Sequence, residues 1–121
     1  MLKNKFYHVV SSEEQSGSSF KTILQINKEH EIFKGHFPST PVVPGVCMMQ
    51  MIKELIEEKV NKKLQLTNAA NIKFLSVINP IDNSTIDVEI KFSITVDSVK
   101  ADAVISVNNT PYFKFIKAVY K

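Results

Sequence analysis

The chain has 121 residues, of which 44% are apolar and 22% are charged. This length and composition suit one globular domain over residues 1–121, and they exclude a disordered chain and a collagen-like fibre. A single cysteine excludes an internal disulfide framework. The formal net charge of +3 is mild, and no run of Lys or Arg stands apart from acidic neighbours, so we expect no nucleic-acid partner.

The first third of the chain predicts two strands joined by a polar loop. Lys5–Val10 has the composition of a strand, Ser11–Ser19 is polar enough for a hairpin loop, and Phe20–Asn27 alternates with a period of two residues. The expected buried face of the second strand consists of Phe20, Thr22, Leu24 and Ile26.

The uncharged stretch Gly35–Ile52 is nearly long enough to cross a membrane. Three prolines (Pro38, Pro41 and Pro44) interrupt it, so it is not one continuous apolar helix. The first residues of the chain include lysines, but no apolar run of signal-peptide length follows them. We therefore expect no membrane insertion and a cytoplasmic location.

One helix is predicted from Gly45 to about Val60, because Pro44 suits the first turn of a helix. Its first half is apolar on every side except at Gln50, and its second half is charged. We therefore expect a helix that begins in the core and emerges into water, with Glu54 on the wet half.

The rest of the chain predicts a β-meander. Ile86–Val96 alternates most regularly, and its expected buried face consists of Ile86, Val88, Ile90, Phe92, Ile94 and Val96. Further β segments are Leu64–Ile78, Ala101–Val107 and Tyr112–Tyr120, with turns near Asn79–Ser84 and Asn108–Pro111. Two strands, one helix and a meander predict an α+β fold in which an antiparallel sheet wraps around a single helix.

The loop before the helix, Lys34–Pro44, holds the best candidates for chemistry. Its prolines stiffen the backbone, which would hold His36 in one place. The helix start offers unpaired N–H groups at Gly45, Val46 and Cys47, and a glycine at position 45 allows a ligand to approach the backbone closely. A base beside fixed N–H donors is suited to removing a proton α to a carbonyl, because the donors stabilise the enolate oxygen.

This segment resembles the 3-hydroxyacyl-[acyl carrier protein] dehydratases of fatty acid synthesis, which have the hot-dog fold. Their signature G-H-F-P-x-x-P-V-x-P-G-V matches Gly35–Val46 without a gap, and Lys73–Phe74 with Asn79–Asp82 is similar to a second family stretch. The resemblance implies a long antiparallel sheet wrapped around one central helix. It also implies a homodimer, or a larger oligomer of dimers, with active sites at the subunit interface.

By this resemblance His36 is the catalytic base and the N–H of Gly45 binds the thioester carbonyl. The other substrate-binding candidates are Phe37, Val46 and Met49. The family has Glu or Asp five positions after the glycine, whereas this chain has Gln50, and an amide is no proton source near neutral pH. Glu54 lies one turn later on the same helix face and is the candidate replacement, so the candidate catalytic set is His36, Gln50 and Glu54.

The implied reaction is dehydration of a 3-hydroxyacyl thioester, carried by acyl carrier protein or coenzyme A, to a trans-2-enoyl thioester, with no cofactor and no metal. One alternative is a non-catalytic partner subunit that binds acyl thioesters and has lost the acid at Gln50. Another is an acyl thioesterase, for which Glu54 is the nearby carboxylate. Cys47 is expected to be a small buried thiol rather than a nucleophile.

Overall fold

The computed structural model describes residues 1–35 and 40–121, and within these ranges it has six strands and two helices. They are, in chain order, β1 (Tyr7–Ser16), β2 (Ser19–Ile26), α1 (Ile32–Gly35), α2 (Gly45–Val60), β3 (Leu66–Phe74), β4 (Thr85–Ile94), β5 (Val99–Val107) and β6 (Thr110–Tyr120). All six strands form one antiparallel sheet in the order β1-β2-β4-β5-β6-β3. The predicted sheet with a single long helix is therefore confirmed.

The helix α2 is held on the sheet by an apolar stripe that runs along its whole length. The stripe consists of Cys47, Met48, Met51, Ile52, Leu55 and Ile56, all of which are buried. Its spacing of three and four residues is that of one helix face, and it joins the inward side chains of the strands in one core cluster. Each fully buried Leu, Ile or Met side chain contributes about 1.5–3 kcal/mol, so the stripe fixes the helix against the sheet.

The predicted hairpin loop Ser11–Ser19 is wrong over most of its length. Strand β1 continues to Ser16, and only Gly17 and Ser18 separate it from β2. The reason is that β1 is an edge strand that pairs with β2 alone, and its side chains beyond Val9 are exposed. Backbone hydrogen bonds form the pairing there, so polar side chains do not interrupt the strand.

The predicted buried faces are confirmed in the centre of the sheet and wrong at one end of it. The four predicted side chains of β2 are buried, as are Ile86, Val88 and Ile90 of β4. In contrast, Ile94 is 61% exposed and Val96 is fully exposed, because β4 ends at Ile94 and Val96 lies in the turn before β5. The remaining strands have ends within two residues of the prediction, except that β3 ends at Phe74.

The helix α2 begins at Gly45, as predicted, but its buried and exposed residues are distributed differently. Val46 in the first turn is 73% exposed, whereas Glu54 in the charged half is only 2% exposed. The prediction that Glu54 belongs to the wet half of the helix is therefore wrong. No helix within residues 1–35 and 40–121 is long and apolar enough to cross a bilayer.

Candidate functional site

Three of the predicted site residues lie together on one side of α2. Val46, Met49 and Gln50 line a surface cavity of about 310 Å³ between this helix and the neighbouring strands. The rest of the described lining comes from Lys53 on the helix and from Gln65, Leu66, Phe115 and Tyr120 on or beside β3 and β6. The helix residues are spaced by three or four positions, which places them on one face.

His36 and Phe37, the predicted base and a predicted contact residue, lie outside the described residues. The structure describes the two elements on either side of them, because α1 ends at Gly35 and α2 begins at Gly45. The roles of His36 and Phe37 therefore stay predictions from the sequence.

The first residue of α2, Gly45, lies directly under the ring of Phe74 from the end of β3. A Cβ atom built at position 45 would be 2.5 Å from Cε1 of Phe74 and 2.9 Å from its Cζ, both closer than real atoms approach. The ring of Phe74 is 58% exposed and also packs against Phe113, with 5.1 Å between the ring centroids. The missing side chain at Gly45 is thus what allows this close approach to the helix backbone.

The helix start does not present all of the predicted N–H groups. The N–H of Cys47 donates to the carbonyl of Pro44 at 3.0 Å, so this part of the prediction is wrong. Among residues 1–35 and 40–121, the N–H groups of Gly45 and Val46 have no acceptor. These two groups lie at the positive end of the helix dipole, where they suit an oxygen that carries negative charge.

Glu54 is a buried carboxylate that accepts four hydrogen bonds. Its Oε2 atom accepts from the backbone N–H of Leu2 at 2.9 Å and from Nε2 of Gln50 at 2.7 Å. Its Oε1 atom accepts from the N–H of Lys3 at 3.0 Å and from the hydroxyl of Tyr7 at 3.0 Å. Burial of an unpaired carboxylate is costly, and these four donors compensate for it. Glu54 therefore attaches the N-terminal segment to α2, together with the ion pair between Lys3 and Glu58.

The same contacts determine the protonation state of Glu54. Burial alone would raise the pKa of its carboxyl group, but the bonds from Leu2, Gln50, Tyr7 and Lys3 outweigh burial and lower the pKa below its usual value. Glu54 is therefore ionised at neutral pH and has no proton to give. Burial and the nearby charge of Glu54 raise the pKa of Tyr7, so this hydroxyl stays protonated and continues to donate.

Gln50 lies where the resemblance implies an acid, and its amide donates a hydrogen bond to Glu54. Only the NH₂ group of an amide can face a carboxylate, so the bond to Glu54 fixes which end of the Gln50 side chain is Nε2. The pair can orient a ligand, but neither member offers a proton at neutral pH. The contacts of Glu54 favour a structural role over the predicted role as a replacement acid.

Cys47 lies in the core, where it is 4% exposed, and burial raises the pKa of its thiol. This environment disfavours the reactive thiolate and agrees with the expectation of a structural cysteine.

Sequence reasoning missed Lys53 on the helix and all of the cavity lining that comes from the sheet. Lys53 lies one turn after Met49, so helix periodicity could have placed it on the cavity wall. Nothing in the sequence places Tyr120 on the same cavity as Gln50, because that arrangement depends on the order of the strands. The hydroxyl of Tyr120 is buried, and burial raises its pKa further from neutrality.

A six-stranded antiparallel sheet around one long helix defines the hot-dog class of protein folds, and solved structures of this shape support the assignment. The dehydratase heterocomplex ApeI:P from Xenorhabdus doucetiae superposes with a TM-score of 0.76, covering 93% of this chain and 96% of that one at 15% identity. A structure described as a putative thioesterase from Shewanella oneidensis superposes with a TM-score of 0.56 at 13% identity, covering 96% and 82% of the two chains. At such identities these likenesses show the fold alone.

The family follows from the sequence itself. The model of the ApeI-like family, described as ApeI dehydratase, matches residues 12–108, so the chain belongs to this family. Similar curated proteins are 3-hydroxyacyl-[acyl-carrier-protein] dehydratases FabZ. The one from Thermoanaerobacter sp. (strain X514) is 29% identical over 104 residues, which are 80% of this chain and 72% of that protein. The one from Wolbachia pipientis wMel is 31% identical over 85 residues, and the match spans 62% of this chain and 57% of that protein's length.

Proposed function

We propose that this protein dehydrates 3-hydroxyacyl thioesters to trans-2-enoyl thioesters. The observation that carries the proposal is the cavity that begins where the Gly35–Val46 motif ends. Val46 closes the motif, and Met49 and Gln50 line the same cavity within the next turn of α2. Similar curated proteins carry the name 3-hydroxyacyl-[acyl-carrier-protein] dehydratase, which supports a thioester on acyl carrier protein as the substrate, with coenzyme A as the alternative carrier.

In the proposed mechanism, His36 removes the proton on the carbon next to the thioester carbonyl. The N–H of Gly45 binds the carbonyl oxygen and stabilises the enolate. The electron pair then forms the new double bond, and the bond from C3 to its hydroxyl breaks. The hydroxyl leaves as water after it takes a proton. Since neither Gln50 nor Glu54 supplies that proton, it comes from the imidazolium of His36 or from a partner chain.

The proposed assembly is a homodimer or a larger oligomer of such dimers. Strand β3 pairs with β6 on one side, and within the described residues its other edge has no strand partner. An unpaired edge beside the cavity suits the interface that the family resemblance implies. The cytoplasmic location predicted from the sequence remains part of this proposal.

A specific observation favours a second candidate function, that of a non-catalytic partner subunit. The residue at the position of the family's acid is an amide that already donates to Glu54 at 2.7 Å. Loss of a general acid commonly lowers the rate by about 10²–10⁴-fold. A solved structure of similar fold is described as a dehydratase heterocomplex, which supports pairing with a second chain. In this proposal the second chain supplies the acid. A thioesterase is less well supported, because all four contacts of Glu54 leave little room for an activated water.

The test is a hydration assay in which the loss of enoyl absorbance from a crotonyl thioester is followed. We expect turnover by the wild type that disappears in His36→Ala and persists in His8→Ala, a matched control on the exposed part of β1. A silent wild type with activity gained in Gln50→Glu would support the partner-subunit function instead. Release of thiol would indicate a thioesterase. An active His36→Ala would refute the assignment of the base.

A further inference from the structure

The cavity wall contains an amide whose orientation is fixed from behind. Gln50 lines the cavity, whereas Glu54 is buried and lies outside the lining. The amide of Gln50 therefore bridges the two environments. Its Nε2 points to Oε2 of Glu54, and its carbonyl oxygen has no donor within the described residues.

Three contacts from other parts of the chain hold Glu54 in place. The backbone N–H groups of Leu2 and Lys3 and the hydroxyl of Tyr7 saturate its two oxygens together with Gln50. An ionised carboxylate has no hydrogen to donate, so it cannot bond to the carbonyl oxygen of Gln50 and bonds only to its NH₂ group. The ordinary ambiguity of a glutamine amide is thus removed at this position.

We propose that Glu54 is a positioning residue that turns the carbonyl oxygen Oε1 of Gln50 towards the cavity, so that this site recognises the 3-hydroxyl group of an acyl thioester as a hydrogen-bond donor. The inference rests on the proposed function for the identity of the ligand. In the family's pattern this position offers a carboxyl group that can give a proton. In this chain it offers an acceptor of fixed direction, which binds and orients the hydroxyl without protonating it.

The proposal predicts a difference between two ligands rather than a general loss of binding. The probes are 3-hydroxybutyryl and butyryl pantetheine thioesters, measured by calorimetry in a His36→Ala background to prevent turnover. One hydrogen bond corresponds to a preference of roughly fivefold for the hydroxylated ligand. In Glu54→Gln the amide at position 50 can adopt either orientation, so the preference is expected to fall below about twofold.

The matched control is Tyr7→Phe in the same background. It removes one donor from Oε1 of Glu54 and leaves the bond between Glu54 and Gln50 intact. If Glu54 had only a structural role, Glu54→Gln would lower the affinity for both thioesters equally. Tyr7→Phe would then have the same effect. A preference that survives in Glu54→Gln, or is lost in Tyr7→Phe, would overturn the proposal.

A second measurement tests the orientation without any ligand and without a variant that risks unfolding. In the wild type, one side-chain amide proton of Gln50 is expected far downfield and slow to exchange, because it donates to a charged acceptor. The side-chain amide of the exposed Gln25 is the internal control. Gln50 protons that behave like those of Gln25 would overturn the positioning role. If neither thioester binds while the Gln50 proton is shifted, the substrate proposal fails and the positioning by Glu54 stands.

Discussion

Tyr7 and Tyr120 differ in one respect that a pair of substitutions can isolate. Both rings are about 1% exposed and belong to the same core cluster. The hydroxyl of Tyr7 donates to Glu54 at 3.0 Å, whereas the hydroxyl of Tyr120 has no hydrogen-bond partner within residues 1–35 and 40–121. Replacement by Phe therefore removes a charge-assisted bond at one site and an unsatisfied polar atom at the other.

The expected effects have different signs. A hydrogen bond to a charged group stabilises the folded state by about 1.5–3 kcal/mol, so Tyr7→Phe should lower the free energy of unfolding by about 2 kcal/mol. A buried hydroxyl without a partner costs about 1–3 kcal/mol of desolvation, so Tyr120→Phe should leave stability unchanged or raise it by up to ~1 kcal/mol. For a domain of this size, 1 kcal/mol moves Tm by about 3–6 °C.

Urea unfolding at pH 7 measures both variants beside the wild type, and equal m-values would show that the unfolded state is unaffected. Thermal unfolding gives an independent ranking of the three proteins. Equal changes in stability for Tyr120→Phe and Tyr7→Phe would refute the assignment of a hydrogen bond to Tyr7 alone. Equal losses would mean that both hydroxyls are bonded, and no loss in either variant would mean that neither is.

Other consequences concern the same elements. The pKa of Glu54 is lower in the folded state than its usual value of 4.5, so its ionisation stabilises the fold above that pH. This stabilisation is lost as the pH falls through the folded pKa. The difference in unfolding free energy between wild type and Glu54→Gln, measured in urea, should therefore be largest at pH 7 and shrink below pH 4.5. Gly45→Ala should stay folded, because the exposed ring of Phe74 can move away from the added methyl group. It should bind butyryl thioester more weakly than the wild type. The double variant with Gly45→Ala and Phe74→Leu should bind as weakly as Gly45→Ala alone. Cys47 should react with a thiol reagent at least 100-fold more slowly in the native protein than in urea, and a fast native reaction would contradict its burial.

The parts of the fold that could be predicted are those in which a local pattern and the three-dimensional structure agree. Phe20–Ile26 and Ile86–Ile90 alternate because one face of each strand is buried in the core, and Pro44 marks the helix start. The part of β1 beyond Val10 was not predicted, because an edge strand with exposed side chains has no polarity pattern. The exposure of Val46 was not predicted either. An apolar side chain at the rim of a cavity cannot be told from a core side chain by its type alone.

The candidate site also has one part that the sequence predicts and one that it does not. The motif Gly35–Val46 is a continuous run of sequence, so it could be found without a structure. The environment of Glu54 could not, because the donors at Leu2 and Lys3 are 52 and 51 residues away along the chain. A glutamate among charged helix neighbours has the sequence pattern of a solvated residue, and only the path of the N-terminal segment over α2 makes it a buried one.

The order Gln50–Glu54 has a consequence for a variant with an acid at position 50, where the resemblance implies one. A carboxylate at position 50 would lie within hydrogen-bonding distance of Glu54, where two negative charges repel each other strongly. This repulsion raises the pKa of one member of the pair, and the two carboxyl groups titrate as a unit. A carboxyl group with a raised pKa is what a general acid requires at neutral pH, so Gln50→Glu would create an acid because Glu54 is behind it. The same carboxylate that fixes the direction of the Gln50 amide is thus expected to raise the pKa of a carboxyl group placed at position 50.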